Sequence, residues 1–270
     1  MSRRAAPKTI EAERFILLDR DGGARAVLET APDSAPRMAM RDEKGRDRLE
    51  LMVARDGAPV VNFRDKDGTV RLEILVAHDG VPDLNVLDKD GKIRLNLGVG
   101  KSGAPEMALL DRDEASGLTL TLTPRGSVVL DVDREGKSCL ALVASPDGGA
   151  GLQFLDPDET PRFVLGLAEG GAPMWGALDA EGKTRVGITV APDGRAVLEW
   201  YDESERLRLK LAILPTGEPS LIVLDEKGKV VAKGGQGAAA VIKSGAAKIP
   251  RLLEAMQDVL ELWKLASPLL

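Results

Sequence analysis

Residues 71–93 read RLEILVAHDGVPDLNVLDKDGKI, and they contain the unit from which most of the chain is built. Two short runs of alternating apolar residues are each followed by an Asp-Gly turn, Asp79-Gly80 and Asp90-Gly91. Alternation with a period of two predicts half-buried β-strands, and Gly after Asp supplies the positive φ that hairpin turns need. The stretch therefore predicts two β-strands, each followed by a reverse turn.

An Asp closes the second run of every copy at a nearly constant spacing. Successive aspartates lie 23 residues apart, except for a gap of 22 before the sixth; they are Asp19, Asp42, Asp65, Asp88, Asp111, Asp133, Asp156, Asp179, Asp202 and Asp225. Ten copies at this period predict a tandem repeat. Because the loss of one residue turns a strand over unless a turn or bulge compensates, we expect an irregularity around residues 128–136.

Side-chain parity predicts the faces and the turns. Leu72, Ile74 and Val76 share one face with Leu84 and Val86, and we expect this apolar face to form the core. Paired residues of an antiparallel ladder lie on the same side of the sheet. Parity then favours a three-residue loop with a bulge at residues 78–80 and a two-residue type I′ turn at residues 90–91.

The predicted fold is all-β, with tandem 23-residue β-hairpin repeats that form an antiparallel meander or solenoid, followed by one C-terminal α-helix. The predicted segments are a basic lead at 1–8, the repeats at 9–233, a Gly/Ala linker at 234–248 and the helix at 249–267. Propeller blades would need a period near 46, and a closed barrel of about twenty strands would leave a wide lumen.

The C-terminal segment predicts an amphipathic helix that begins near Pro250. Its apolar stripe includes Leu252, Met256, Val259, Leu260 and Trp263. We expect this stripe to dock on the chain's own sheet, on a second copy or on a larger protein assembly.

The residue before each closing Asp is expected to point away from the core. Many of these positions are apolar, and we predict an interface at Leu87, Leu110, Leu155, Leu178, Tyr201 and Leu224. Scattered exposed aliphatic residues, which are common on protein surfaces, are the alternative explanation.

The turn Leu87-Asp88-Lys89-Asp90-Gly91-Lys92, followed by a β-run, resembles the YD repeats of RHS-type shell proteins. The 23-residue hairpin period is also similar to that of MORN repeats. Both resemblances cover residues 9–233. They imply an architecture of tandem β-hairpins and transfer no functional residue.

Composition and charge narrow the classes of function. The net charge is −6 and the pI is about 5.1, with both signs interspersed, which argues against a nucleic-acid surface. No apolar run approaches the length of a membrane span, and the first residues contain no apolar h-region. We expect no Sec signal, no membrane span and a cytoplasmic protein, to which the single Cys139 adds weak support.

Residues that could carry chemistry follow the repeat. Asp88-Lys-Asp-Gly91 resembles part of a calcium loop, but other copies replace its second Asp freely and keep Gly, which favours a turn. His78 is the only histidine, and Cys139 stands where most copies have Arg. We expect no cofactor, no metal site and no catalytic residue.

These observations predict a non-catalytic structural or interaction protein that associates with itself. The alternative is a binding module for glycan or protein that uses the aromatic residues of the later repeats: Phe154, Phe163, Trp175 and Trp200. A carbohydrate enzyme would need a carboxylate pair that breaks the repeat, and the sequence shows none.

Overall fold

The computed structural model describes residues 9–31, 35–100, 102–146, 148–167 and 170–235. These residues form twenty β-strands. In chain order the strands are β1 Arg14–Leu18, β2 Ala24–Thr30, β3 Pro36–Arg41, β4 Asp47–Val53, β5 Pro59–Arg64, β6 Val70–Val76, β7 Pro82–Leu87, β8 Ile93–Val99, β9 Pro105–Leu110, β10 Ser116–Leu122, β11 Val128–Arg134, β12 Lys137–Ala144, β13 Ala150–Leu155, β14 Pro161–Leu167, β15 Pro173–Leu178, β16 Thr184–Val190, β17 Ala196–Tyr201, β18 Leu207–Ile213, β19 Pro219–Leu224 and β20 Val230–Gly234.

The chain divides into two compact units. The first contains residues 1–99 and the loop segment Arg112–Glu114, and the second contains Gly100–Asp111 and the residues from Ala115 on. Strands β1–β8 belong to the first unit and β9–β20 to the second. Within each unit the strands pair with their neighbours in sequence, and every pairing is antiparallel. The predicted meander of β-hairpin repeats is confirmed.

The prediction of one C-terminal α-helix is wrong for this structure, because its described residues contain strands and no helix. The segment to which the helix was assigned, residues 249–267, lies outside the described residues, as do residues 1–8 and 236–248. The prediction rested on a local apolar stripe alone, and most helical stability comes from tertiary packing, which such a stripe does not supply. No membrane-spanning helix occurs in the described part of the chain.

The turn after the first strand of a repeat and the turn after its second strand contain the same three-residue loop. In the loop at residues 89–91, Asp88 donates its N–H to the Lys92 carbonyl at 2.8 Å, and Gly91 donates its N–H to the Asp88 carbonyl at 3.1 Å. Of these residues only Gly91 has positive φ, 78°, as in a type I turn with a bulge. The same bonds close the loop at residues 78–80, where the prediction is confirmed.

The predicted type I′ turn at residues 90–91 is therefore wrong. The ladder shifts register after Val86, which pairs with Leu95, whereas Leu87 pairs with Ile93. Arg94 is the extra residue of this β-bulge. The extra residue offsets the change in side-chain alternation that a three-residue loop causes, so the apolar residues of both strands stay on one face. Parity alone cannot distinguish a two-residue turn from a three-residue loop followed by a bulge.

The irregularity expected around residues 128–136 is confirmed, and it is a tighter turn. Arg134 pairs with Lys137, which leaves Glu135-Gly136 as a two-residue loop. Both residues have positive φ, 56° and 75°, the conformation of a type I′ turn. This copy lacks one residue before its closing Asp133, and the shorter loop absorbs the deletion.

In most copies the closing Asp organises its turn with both carboxylate oxygens. In the fourth copy, Asp88 Oδ1 accepts the N–H groups of Asp90 at 2.8 Å and Lys92 at 3.1 Å. Its Oδ2 accepts Nε of Arg94 at 2.8 Å. The same three contacts recur at Asp42, Asp65, Asp156, Asp179 and Asp202.

The Arg of this contact also joins neighbouring hairpins. Arg71 donates Nε to the Leu87 carbonyl of the next copy at 2.9 Å, and Arg208 does the same to Leu224 at 3.0 Å. In the copy with the deletion Cys139 takes the place of the Arg, and its thiol donates to the Val132 carbonyl of its own hairpin at 3.1 Å. The ion pair and the link to the next hairpin therefore come from one side chain.

Three turns place Glu where the other copies have Gly. Glu114, Glu159 and Glu205 have φ of 65°, 59° and 56°, in the left-handed region. Each carboxylate accepts a backbone N–H of the preceding copy: Glu114 from Ile93 at 3.0 Å, Glu159 from Ser138 at 3.1 Å and Glu205 from Thr184 at 3.3 Å. The bond to the preceding hairpin offsets a backbone strain of about 1 kcal/mol.

We expect Glu159→Ala to lower the free energy of unfolding by about 1–2 kcal/mol, because it loses the bond to Ser138 and keeps the left-handed strain. Glu159→Gly loses the same bond but removes the strain, so its free energy of unfolding should be about 1 kcal/mol higher than that of the Ala variant. Urea unfolding of both variants measures the difference. Equal midpoints for Ala and Gly would contradict the account.

The turn aspartates also predict a dependence on pH. The hydrogen bond from Arg46 holds the pKa of Asp42 at about 2, and N–H donors lower the pKa of Asp65 and Asp88 in the same way. A lowered folded-state pKa stabilises the fold above the ordinary Asp pKa of about 3.9, and this stability is lost as the pH falls through the folded value.

We expect Asp42→Asn, which keeps an oxygen for the backbone bonds but loses the charge, to be less stable than the unsubstituted chain at pH 6. The difference should shrink as the pH falls from about 4 to about 2, where Asp42 itself becomes protonated. Urea midpoints at a series of pH values test this. A difference that stays constant down to pH 2 would count against the role of the charge.

Candidate interaction surface

On one side of the sheet in each unit, apolar residues form two continuous rows; we call this side the aliphatic face. In the first unit it has two rows that cross all eight strands. The first row is Phe15, Leu28, Met38, Leu51, Val61, Ile74, Leu84 and Leu97, and the second is Leu17, Ala26, Met40, Leu49, Phe63, Leu72, Val86 and Leu95.

The second unit continues the same arrangement over its own twelve strands. Its first row is Met107, Leu120, Leu130, Leu142, Leu152, Leu165, Trp175, Ile188, Leu198, Leu211, Leu221 and Gly234, and its second is Leu109, Leu118, Val132, Leu140, Phe154, Phe163, Ala177, Val186, Trp200, Leu209, Val223 and Ala232. No position in these rows is polar.

The aliphatic face is exposed, and the expectation that it forms the core is wrong. Ile74 and Leu97 expose 42% and 39% of their surface, and Leu165 exposes 47%. Within each unit the strands pair only with their sequence neighbours, so the repeat itself supplies no second layer to cover this face. The apolar pattern correctly predicted which residues share this face, but it did not predict that the face is exposed.

The opposite side, which we call the mixed face, contains the most buried residues. Its central row includes Ala39, Glu50 and Asn62 in the first unit and Asp131 and Gln153 in the second, all of them buried. Alternation thus places the polar and small side chains, together with part of the apolar ones, on the buried side, whereas the two rows of the exposed side are apolar throughout.

In the first unit the mixed face contains a network of ion pairs around Arg37. This guanidinium contacts Glu29 at 3.2 Å, Asp47 at 2.9 Å and Glu50 at 2.8 Å, and Glu50 also contacts Arg64 at 2.9 Å. Burial alone would lower the pKa of Arg37, but the bond and charge of Asp47 and the charges of Glu50 and Glu29 outweigh it and raise the pKa. These carboxylates are held by structural ion pairs.

In the second unit the mixed face contains a fully buried ion pair. Lys210 Nζ lies 2.8 Å from Glu199 Oε1, with side-chain exposures of 2% and 1%. The Tyr201 hydroxyl donates to the other Glu199 oxygen at 2.7 Å. Next to this pair in sequence, Val197, Ala212, Ile222 and Leu224 form an apolar core cluster.

A groove of about 630 Å³ opens on the aliphatic face of the first unit. Its lining includes Leu51, Val61, Ile74, Leu84 and Leu97, which are consecutive members of one row. Its lining is apolar except for the polar side chain of one Asp. An apolar surface of a partner fits such a groove, whose lining contains no pair of charged side chains.

An aromatic cluster lies on the aliphatic face of the second unit. The rings of Phe154 and Phe163 meet edge to face at 5.9 Å, and those of Phe163 and Trp175 stack at 5.7 Å. Phe154 is exposed, so the cluster is accessible from one side.

The interface residues predicted in front of each closing Asp lie on the mixed face. Leu178 and Leu224 are buried, and Leu87, Leu110, Leu155 and Tyr201 are half-buried. Their role in an interface stays a prediction. Leu252, Met256, Val259, Leu260 and Trp263 lie outside the described residues.

Sequence reasoning identified the apolar positions but assigned the wrong side to the surface. The sequence contained one signal for the correct side. Ala, Asn and Gly recur at positions of the mixed face, and their side chains are small enough to be covered by their neighbours.

The other candidate residues are accounted for by the loops. His78 is exposed in the loop after β6, and Cys139 is a half-buried free thiol. Among the described residues no group of His, Cys, Asp and Glu could hold a metal ion. The Asp-x-Asp-Gly segments are turns whose first Asp bonds backbone N–H groups and Arg.

No protein-family model matches this chain, and no curated protein matches it. Among solved structures it is similar to the TCP domain of SAS-4 (dCPAP) of Drosophila melanogaster, in complex with a proline-rich motif of Ana2 (dSTIL). The identity is 11% and the TM-score 0.32, with 69% of this chain and 88% of that chain covered. A likeness of this size carries no argument about function.

Two side-chain truncations at adjacent residues of β14 test which face of the sheet is buried. Val164 on the mixed face is 0% exposed, whereas Leu165 on the aliphatic face is 47% exposed. In dilute protein, Val164→Ala should lower the free energy of unfolding by about 1.5 kcal/mol, and the larger truncation Leu165→Ala by less than about 1 kcal/mol. Chemical denaturation measures both, and the reverse order would contradict the assignment of the faces.

Proposed function

We propose that this chain is a non-catalytic structural protein that associates with itself through its aliphatic face. The observation that carries the proposal is the pair of uninterrupted apolar rows on the exposed side of each unit. Soluble monomers rarely expose a contiguous apolar patch larger than a few hundred Å², so a surface of this kind marks an interaction site.

The size of the surface fits a protein partner. With side chains exposed near two fifths, each unit offers on the order of 900 Å² of apolar area, close to the roughly 800 Å² that one partner contributes to a standard interface. The rows lack charges that would select a foreign partner. Two such faces from different copies can pack about 10 Å apart, as the layers of a β-sandwich do.

The aromatic cluster supports a second candidate, a binding module for a glycan or a protein. Phe154, Phe163 and Trp175 form a contiguous ring surface of the kind that stacks on apolar ligand faces. This module would use the same face as the self-association, so ligand and second copy would compete.

We expect Ile74→Lys, which places a charge in the middle of the first row, to reduce the molar mass of the full chain, because the charge would be buried unpaired between two copies. The control Ser102→Lys adds the same charge in an exposed loop and should keep the mass unchanged. Light scattering on a sizing column measures the mass of each.

An unsubstituted chain that is monomeric at high concentration would overturn the proposal. Equal masses for the Ile74→Lys and Ser102→Lys variants would also overturn it, because the association would not depend on the aliphatic face. A chain that ends at Gly235 keeps all twenty strands, and an unchanged number of copies per particle would assign the association to the strands.

A further inference from the structure

Strand β1 lies at an edge of the sheet that the described residues form. It pairs with β2 on one side, and among the described residues no strand pairs with its other side. All five of its residues are exposed, including Leu17 at 64% and Leu18 at 55%. Natural edge strands usually carry Lys, Pro or a bulge that blocks further pairing. Residues 14–18 contain neither Lys nor Pro, and the register shift of the β1–β2 ladder places its extra residue, Arg25, on β2.

The backbone of β1 shows which of its polar groups are available. Asp19 donates its N–H to the Gly23 carbonyl and accepts from the N–H of Gly22, so both of its groups face β2. Because the groups of successive strand residues point to alternate sides, those of Leu17 and Phe15 also face β2. Those of Arg14, Ile16 and Leu18 point away from it.

We propose that two copies of this chain pair along β1, antiparallel, about a twofold axis at Ile16. Ile16 then lies opposite Ile16 of the second copy and exchanges both backbone bonds with it, and Arg14 lies opposite Leu18 in the same manner. Phe15 lies opposite Leu17 of the second copy in the aliphatic rows. Every backbone group that points away from β2 obtains a partner.

This pairing keeps the aliphatic faces of the two copies on the same side. Paired residues share a face, so the row that contains Phe15 continues into the row of the second copy that contains Leu17. The edge contact therefore extends the proposed self-association with a second surface. It rests on the backbone of β1 and not on the exposure of the aliphatic face.

The other end strand fits β1 less well. Continuation of the 23-residue register would set Lys233 of β20 opposite Ile16 and Gly234 opposite Phe15, with little apolar contact. Strand β20 ends at Gly234, and the next residue, Gly235, has a φ of 86°; a Cβ there would lie 1.9 Å from the Pro219 carbonyl oxygen. Lys and Gly are the residues that guard an edge, so β1 favours a second β1 over β20.

Residue-resolved amide exchange on the full chain, in dilute and in concentrated solution, tests the proposal. We expect the amides of Ile16 and Leu18 to exchange at least about tenfold more slowly in concentrated protein, since pairing closes their N–H groups. The amide of Leu17, which β2 already binds, is the internal control and should be slow at both concentrations. Fast exchange of Ile16 and Leu18 at both concentrations would overturn the pairing.

Cross-linking identifies the partner strand. In a Cys139→Ala background, Ile16→Cys should give a disulfide-linked dimer on mild oxidation, because a directly opposed pair lies about 5.5 Å apart between Cα atoms. A mixture of Ile16→Cys and Lys233→Cys chains should give only the Ile16 homodimer, and a mixed disulfide would overturn the twofold arrangement. The Ile74→Lys variant should keep the cross-link, so that failure of the face proposal and failure of this one are distinguishable.

Discussion

The carboxylate of the closing Asp is the interaction on which the repeat depends. One oxygen of Asp88 fixes the loop through two backbone N–H groups, and the other orients Arg94. That Arg is free to turn towards the Asp because it is the extra residue of the β-bulge. Loop and bulge persist where the extra residue is Gly117 or Val231, so the bonds to backbone N–H groups, rather than the ion pair, favour an Asp at this position.

Register follows from this turn, and the two faces follow from register. Once each hairpin is fixed, period-two alternation places large aliphatic residues on one side and short, polar or ion-paired residues on the other. The buried pair of Lys210 and Glu199 shows how strictly the register is constrained. A slip of one residue would expose this pair, and a buried ion pair stabilises the fold only when both charges stay together. Within the described residues the sheet thus has a partly polar side that is buried and an apolar side that is exposed.

Much of the fold could be predicted from the sequence, and the reasons for the failures are physical. The period, the strand positions and the loop at His78 follow from turn chemistry and alternation, which are local. The burial of the mixed face does not, because alternation shows which residues share a face but not which face is covered. The Glu residues at positive φ were missed since their benefit, a bond to the preceding hairpin, is invisible in a single copy. The C-terminal stripe predicted a helix from periodicity alone, without a partner to pack against.

Strands that pair only with their neighbours in sequence give the chain a low contact order. Hairpins of this chain close over loops of two or three residues, so the entropy lost in forming a contact is small and does not grow with chain length. Folding can then follow synthesis, one hairpin at a time, with each new strand added to an edge that already exists.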